Sequence, residues 1–162
     1  MVNVEYYVPG CPPPVPIISQ VVDALVAGKF PPAGTVFGSD KALCEKCPRA
    51  KEEKKIAEIY RPHEIIPDAG KCLLEQGTIC TGPATRGGCG AQCIDANMPC
   101  RGCFPPPPGV SGQGAKMLSA LASLLDVEEE AEVARIVGEI FDPAGTFCRF
   151  GLPTAMLNRK RL

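Results

Sequence analysis

Ten cysteines in 162 residues constrain this chain more than any other feature, because the spacing of eight of them defines two successive groups. Each group has four members and contains one Cys-x-x-Cys pair. The first cysteine group is Cys44, Cys47, Cys72 and Cys80, and the second cysteine group is Cys89, Cys93, Cys100 and Cys103. Four thiolates are the full ligand set of one four-iron cluster or of one structural zinc ion. The chain is therefore expected to fold around two metal centres.

The composition indicates that apolar burial alone does not hold the fold together. The chain contains 18 Pro and 17 Gly against 3 Tyr and no Trp, and a chain of this length buries a modest core. It shows no secretory signal pattern and no apolar run long enough to cross a bilayer. We therefore expect a reducing, cytoplasmic compartment, in which cysteines are metal ligands rather than disulfides. The net charge of −1, with acidic and basic residues intermixed, predicts no nucleic-acid partner.

The first 30 residues have the pattern of a strand followed by a helix. Residues 4–8 are mainly β-branched or aromatic and end at a Pro-Gly pair, which predicts a strand that ends in a turn. Apolar residues then recur with a helical period over 17–27, and Gly28 is a suitable C-terminal stop. Cys11 lies in the loop between the two elements. Residues 1–30 are therefore predicted to be the end of an α/β domain.

Residues 31–110 lack sustained periodicity, apart from a short charged helix predicted at 51–60. An irregular segment of this length fits a compact domain when metal ligation replaces the missing apolar core, and the eight grouped cysteines lie within it. The four consecutive prolines at 105–108 are expected to form a stiff connector. We therefore predict a two-centre metal-binding domain over 31–110.

Beyond this segment the sequence returns to helical periodicity. Met117, Leu121 and Leu124 share the apolar side of one predicted helix, and residues 127–140 predict a second helix. We expect the two helices to form a hairpin over the metal-binding domain, with residues 111–162 as helical hairpin and tail. The fold class is thus α+β: a mostly irregular, cysteine-rich domain with several helices, attached to the end of an α/β domain.

Glycines around the second cysteine group bear on the kind of metal centre. Gly87, Gly88, Gly90 and Gly102 let backbone amides approach the sulfurs and hydrogen-bond to them, which tunes the reduction potential of a cluster. Iron–sulfur clusters are therefore favoured over zinc. The zinc alternative, an interaction module with two structural four-cysteine sites, stays open because a lone Cys-x-x-Cys pair fits both metals.

Five further residues carry weaker expectations. His63, the single histidine, is expected on a solvated loop rather than as a ligand. Cys148 has no cysteine at ligand spacing and is expected to be a small buried apolar residue. Lys46, Arg49 and Arg101 flank predicted ligands, where they either stabilise reduced clusters, dock an acidic partner or are simply solvated.

Several short motifs resemble the small subunits of nickel-iron hydrogenases. The segment VPGCPP at 8–13 resembles the element that supplies the last cysteine of their proximal cluster; a near-identical element in the small subunit of respiratory complex I is not followed by eight cysteines. The segments CLLEQG at 72–77, TRGGCGAQC at 85–93 and MPCRGC at 98–103 are similar to the cytoplasmic hydrogenases of methanogenic archaea, particularly the viologen-reducing type. QGAKM at 113–117 and DPAGTF at 142–147 extend the likeness over nearly the whole chain.

The resemblance implies cofactors and a role for each grouped cysteine. It assigns the first cysteine group to a distal cluster, with Cys44 at the position where membrane-bound relatives have a histidine. It assigns the second cysteine group to a medial cluster, with Cys93 where a proline in other hydrogenases leaves a three-iron cluster. Two 4Fe-4S clusters are implied, which relay electrons between the nickel-iron site of a large subunit and a surface acceptor. The chain itself is then a non-catalytic electron-transfer subunit of an oxidoreductase.

The implied partners are a nickel-iron hydrogenase large subunit, an acceptor subunit with an iron-sulfur cluster or flavin, and heterodisulfide reductase. The sequence departs from the family because no flavodoxin-like region, which carries the other proximal-cluster ligands, precedes Cys11. Cys11 is then a possible ligand of a third, proximal cluster that a partner segment completes. Two interpretations stay open: a C-terminal portion of a longer or split small subunit, or a two-cluster electron wire that serves another redox complex without a hydrogenase.

Overall fold

The computed structural model describes residues 3–52, 55–127 and 129–152. Its elements in chain order are β1 (Tyr6–Tyr7), α1 (Val15–Ala27), β2 (Thr35–Val36), α2 (Leu43–Lys46), a 3₁₀ turn (Gly82–Ala84), α3 (Gln92–Asp95), α4 (Gln113–Ala122), α5 (Glu130–Gly138) and α6 (Pro143–Cys148). Over the described residues the fold is a small α+β domain with six α-helices and one two-stranded parallel sheet. The α+β class is as expected, whereas attachment to a flavodoxin-like domain stays a prediction.

The N-terminal part is a small parallel β–α–β unit. Strands β1 and β2 pair with Tyr6 opposite Thr35 and Tyr7 opposite Val36, and α1 connects them. The predicted helix is confirmed, and it ends at Gly28, whose φ of 62° is the left-handed conformation that glycine adopts without strain. The predicted strand is present but shorter, because pairing with β2 involves two residues only.

One side chain of α1 anchors this unit to the rest of the fold. Ile17 is fully buried and packs with Phe37 and Phe104 in a small apolar cluster that also touches Cys89 and Cys103 of the second cysteine group. The remaining apolar residues of α1 are largely outside this cluster: Val15, Val22, Leu25 and Val26 are all exposed. The helix is thus held at one point and leaves most of its apolar surface uncovered.

The main apolar core lies between the irregular segment and the C-terminal helices. Leu43, Ile56 and Leu73 from the irregular segment join Met117 of α4 and Ile136 of α5 in one buried cluster. The apolar pattern predicted these inward positions on the two helices, but α4 ends at Ala122, before Leu124. Its end there is consistent with Leu124 taking part in backbone pairing instead.

The expected hairpin of two helices is not the packing that the structure shows. The close neighbours of α4 are the 3₁₀ turn and α6, and α6 was not predicted from the sequence. Gly114 makes the close approach possible, because a Cβ atom at this position would lie 2.7 Å from the sulfur of Cys148. The tail beyond residue 152 lies outside the described residues.

The helix predicted at 51–60 is wrong for the part of this segment that the structure describes, which excludes residues 53 and 54. Ile56 and Tyr60 are extended and form isolated bridges with Leu125 and Thr78. Their backbone N–H groups donate to the carbonyls of Leu124 and Gly77. The charged composition favours a helix, but burial of Ile56 in the core and these tertiary hydrogen bonds outweigh the local preference.

No helix in residues 3–52, 55–127 or 129–152 is both long enough and apolar enough to span a membrane.

Candidate functional site

The four cysteines of the first group line one cavity of about 180 Å³, which we call the first cavity. Apolar side chains, including Leu73, Leu74 and Ile94, form much of its wall. Arg49 and Lys51 line it as well and bring two positive charges next to the thiols. The fold therefore brings together four side chains that lie up to 36 positions apart in sequence, Cys44 and Cys80 being the outermost.

Local structure explains how the first cysteine group is assembled. Cys44 is on the short helix α2, and Cys47 is its C-cap residue. Cys72 is held next to them by a backbone bridge, in which its N–H donates to the carbonyl of Ala50 at 2.8 Å. Cys80 immediately precedes the 3₁₀ turn and is buried. Burial raises the pKa of the Cys80 thiol to about 12, and the nearby Cys100 adds to the increase.

Backbone amides point at the sulfur of Cys80. The N–H of Cys100 donates to this sulfur at 3.3 Å, and the N–H of Gly82 donates to it as well and opposes the increase in pKa. Gly82 also lies against the other side of the group, since a Cβ atom there would be 2.9 Å from the sulfur of Cys44. Such N–H···S hydrogen bonds support thiolate ligands and tune a cluster. The glycine is required because a side chain would occupy the space beside the sulfurs.

We expect the substitution Gly82→Ala to reduce loading of the first cavity selectively. The added methyl group would lie closer to the Cys44 sulfur than van der Waals contact allows, so the ligand must move. After anaerobic reconstitution, bound iron should fall from about eight toward about four per chain if each cavity holds four.

Gly138→Ala is the matched control for Gly82→Ala, because Gly138 is in α5 and has no atom within 4 Å of the added Cβ. It should load like the unmodified chain. Full loading of Gly82→Ala would show that the close approach of Gly82 is not needed for the site.

The four cysteines of the second group line another cavity, of about 470 Å³, which we call the second cavity. Cys11 lines it too, together with the prolines that follow it. Ile94 belongs to the walls of both cavities, so the two sites are adjacent. The structure thus brings together all eight grouped cysteines in the two sets of four that their spacing suggested.

Left-handed backbone at two residues shapes the start of the second cysteine group. Gly90 has a φ of 71°, and Ala91, the N-cap of α3, has a φ of 57°. This conformation is unusual for alanine, and it turns the chain between Cys89 and the short helix that carries Cys93. The two thiols, three residues of backbone apart, can therefore both face the second cavity, which they line.

Hydrogen bonds to backbone carbonyls hold the end of the second cysteine group. Both the N–H and the hydroxyl of Thr81 donate to the carbonyl of Cys100, at 3.0 and 2.9 Å. Gln113, at the start of α4, is buried and donates through Nε2 to the carbonyls of Gly102 and Phe104 on either side of Cys103. Gln113 is a site residue that sequence reasoning missed, although it lies in the recognised QGAKM motif.

Cys100 and Cys11 connect the thiol groups to one another. Burial raises the pKa of Cys103, the charges of Cys100, Cys89 and Cys93 raise it further, and a hydrogen bond from the backbone N–H of Cys11 lowers it. Cys100 also raises the pKa of Cys80, as it lies near the first cavity. Cys11 is exposed, and its thiol has no predicted ligand role within either group of four.

The remaining predicted residues have distinct positions. His63 is exposed, as expected, and Cys148 is buried in the main core, also as expected. Lys46 is exposed and Arg101 half-buried. Arg49 departs from the solvated interpretation, because it is 6% exposed and donates four hydrogen bonds. Its position two residues after Cys47 is the sequence signal that it lies close to the site.

The donor set and geometry of each cavity fit a four-iron cluster. Among residues 3–52, 55–127 and 129–152, no three or more His, Cys, Asp or Glu side chains lie close enough to hold one metal ion. The thiols of each group therefore surround a volume instead of converging on a point. A zinc ion requires four ligands at about 2.1–2.3 Å from one point, whereas a four-iron cluster is itself a larger body.

Comparison with known proteins identifies relatives over nearly the whole chain, although no protein-family model matches it. The chain is 38% identical over 165 residues to the F420-non-reducing hydrogenase iron-sulfur subunit of Archaeoglobus profundus, an alignment that covers 99% of the chain and 51% of that protein. It is 41% identical over 165 residues to the equally designated F420-non-reducing hydrogenase protein of Methanothermobacter marburgensis, over 99% of the chain and 52% of that protein. The chain thus spans about half the length of these relatives.

A shorter relative is matched over most of its own length. The equally designated F420-non-reducing hydrogenase protein of Methanothermus fervidus is 41% identical over 118 residues, which cover 70% of the chain and 93% of that protein. The cysteine-lined cavities agree with the words iron-sulfur subunit in the name of the Archaeoglobus relative. The chain therefore belongs to the family of iron-sulfur subunits of the F420-non-reducing hydrogenases.

Proposed function

We propose that the chain is a cytoplasmic electron-transfer subunit that relays electrons through two 4Fe-4S clusters in a nickel-iron hydrogenase complex coupled to heterodisulfide reductase. The observation that carries the proposal is the pair of adjacent cavities, each lined by four cysteine thiols. Membership of this hydrogenase family supports the hydrogenase context. In this proposal the first cysteine group ligates one cluster and the second cysteine group ligates the other.

The protein supplies ligation, low polarity and hydrogen bonds, while an iron-sulfur cluster supplies reversible one-electron chemistry when it is bound. Leu73, Leu74 and Ile94 reduce contact between water and the first cavity. The N–H groups of Gly82 and Cys100 hydrogen-bond to a ligand sulfur and favour its charged form. Each of these contributions makes the reduced, more negative state easier to accommodate or adjusts the potential at which it forms.

A short connection between the two cavities supports their use in series. Cys100 lines the second cavity with its side chain, and its backbone N–H donates to the sulfur of Cys80 in the first cavity at 3.3 Å. Cys11 makes a similar connection on the other side, because its N–H donates to the sulfur of Cys103. We propose that electrons pass along this order, from the side of Cys11 through the second cavity to the first cavity, or in reverse.

The exposed surface around Cys11 is the proposed position of the hydrogenase partner. Val15, Val22, Leu25 and Val26 of α1 expose a row of apolar surface close to this cysteine in sequence. A helix that is apolar on most of its surface is normally covered. Since the chain spans about half of its relatives, we propose that an N-terminal small-subunit segment or the large subunit covers α1 and completes a third, proximal cluster with Cys11. An acceptor subunit with an iron-sulfur cluster or flavin would then approach the first cavity.

Metal analysis tests the proposed function directly. We expect the anaerobically purified chain to contain about eight iron and about eight acid-labile sulfide, because each set of four thiols completes one 4Fe-4S cluster. Electron paramagnetic resonance after dithionite reduction should show two reduced clusters that interact magnetically.

The zinc module predicts a different composition for the same preparation. About two zinc per chain without sulfide, and no paramagnetic signal on reduction, would overturn the relay and leave two structural sites. Two clusters in a chain that co-purifies with a redox complex free of nickel would retain the electron wire but remove the hydrogenase context.

A further inference from the structure

Arg49 is a buried cation that four hydrogen bonds hold at the junction of the two sites. Its Nη1 donates to the carbonyls of Asp68 at 2.9 Å and Lys71 at 3.1 Å. Its Nη2 donates to the carbonyl of Ile94 at 2.9 Å and to Oδ1 of Asn97 at 2.7 Å. Within the described part of the chain, none of its partners is a carboxylate.

These contacts tie the two cysteine groups together. Lys71 immediately precedes Cys72 of the first group, and Ile94 immediately follows Cys93 of the second group. Arg49 lines the first cavity but not the second, so its charge lies closer to the first set of thiols. The same side chain therefore fixes the relative position of two loops and places a cation next to one of the two sites.

A buried guanidinium with neutral partners only is costly, because carbonyl dipoles replace just part of its hydration. The negative charge that can compensate it comes from the ligand thiolates of the first cysteine group. Lys51 contributes a second cation there, and its charge lowers the pKa of Cys44 against a larger increase from burial. Arg49 differs from Lys51 because it is buried, so solvent screens its charge less.

We propose that Arg49 is a positioning residue whose buried charge raises the reduction potential of the first centre relative to the second. The inference rests on the proposed function. One-electron reduction, with the electron supplied by dithionite through a mediator, adds one negative charge to the centre in the first cavity. An adjacent buried cation stabilises that added charge. The first centre then becomes the better electron acceptor of the pair, which sets a downhill direction from the second cavity to the first.

Two substitutions in the full chain, loaded anaerobically with iron and sulfide, separate the charge of Arg49 from its tethers. Asn97→Asp retains the hydrogen bonds but places a carboxylate on the guanidinium, and the φ of 57° at this position tolerates aspartate. Arg49→Lys retains the charge but cannot make the forked contacts. At a fixed potential, we expect Asn97→Asp to lower the reduced-to-oxidised ratio of the first centre at least tenfold, or 59 mV for one electron. Arg49→Lys should change this ratio less than threefold.

Gln20→Glu is the matched control, since it makes the same change of formal charge at an exposed position of α1. It should leave both potentials unchanged. The charge assignment is overturned if Asn97→Asp leaves the first centre unchanged, or shifts both centres equally, while iron and sulfide remain complete. It is also overturned if Arg49→Lys lowers the potential as much as Asn97→Asp. A chain without iron and sulfide in its unmodified form instead contradicts the proposed function itself.

Discussion

Replacing Cys80 with alanine is expected to halve the iron and sulfide content of the chain, from about eight to about four of each. Cys80 is buried and its sulfur accepts two backbone N–H groups, so its loss removes a ligand that is already positioned. No fifth thiol lines the first cavity among the described residues. The second cavity retains its four cysteines, and its centre should therefore still form.

Iron and sulfide analysis together with electron paramagnetic resonance measures this result. The spectrum of the reduced Cys80→Ala chain should lose the magnetic interaction between centres and show one isolated cluster. Cys89→Ala, which removes a thiol of the second cavity, should give the complementary loss. The two single-centre spectra should then account for the two components of the unmodified chain.

The chain provides two controls of the same residue type. Cys148 lies in the main core against Gly114, and Cys11 is exposed and outside both groups of four. Cys148→Ala and Cys11→Ala should each retain about eight iron. Loss of iron in Cys148→Ala, or full loading of Cys80→Ala, would contradict the assignment of ligands.

The two sets of cysteines could be predicted because ligand chemistry leaves a direct trace in spacing. The α1 helix could be predicted for a similar reason, since its apolar period and Gly28 are both local signals. The region between them is different. Cys72 reaches the first cavity through a bridge to Ala50, a contact between residues 22 positions apart that no local pattern encodes.

The errors have the same physical origin. Residues 51–60 have a helical composition, but Ile56 is buried against the C-terminal part, and its N–H finds a partner at Leu124 instead of within a helix. Arg49 belongs to a charged sequence, and only the fold shows that carbonyls from two loops surround it. Tertiary contacts decide both cases, because short irregular segments have weak preferences of their own.

The missed helix α6 had a readable signal. Asp142 is its N-cap and accepts a hydrogen bond from the N–H of Gly145 at 3.0 Å, and Pro143 occupies the first helical position. An acidic cap followed by proline is a typical helix start. The helix is only six residues long, so its apolar periodicity was too short to be recognised.

Removing the clusters is expected to unfold the middle of the chain rather than leave a folded apo form. Regular structure in this region is confined to β2, α2, the 3₁₀ turn and α3, none longer than four residues. An emptied, rigid first cavity of about 180 Å³ would cost about 4 kcal/mol at about 24 cal/mol per Å³. That cost is a large part of the roughly 5–15 kcal/mol by which domains are stable.

Hydrogen exchange and far-UV circular dichroism measure this effect on the full chain before and after anaerobic removal of iron with a chelator. The backbone N–H groups of Ala50, Cys72 and Thr81 donate to carbonyls within the cysteine-bearing loops. Their protection should fall at least a hundredfold in the apo chain, which corresponds to a loss of about 2.7 kcal/mol. The thermal transition should shift downward and broaden as cooperativity is lost.

Comparison within the same molecule distinguishes loss of the clusters from general damage. The α1 amides lie in a local helix with one buried anchor, so their protection is expected to be low in both forms. Re-addition of iron and sulfide should restore protection at Cys72 and Thr81 together, because ligation and folding are one equilibrium. An apo chain that retains protection at both amides would show instead that apolar packing of Leu43, Ile56 and Leu73 is sufficient, and that the cysteines only decorate a preformed fold.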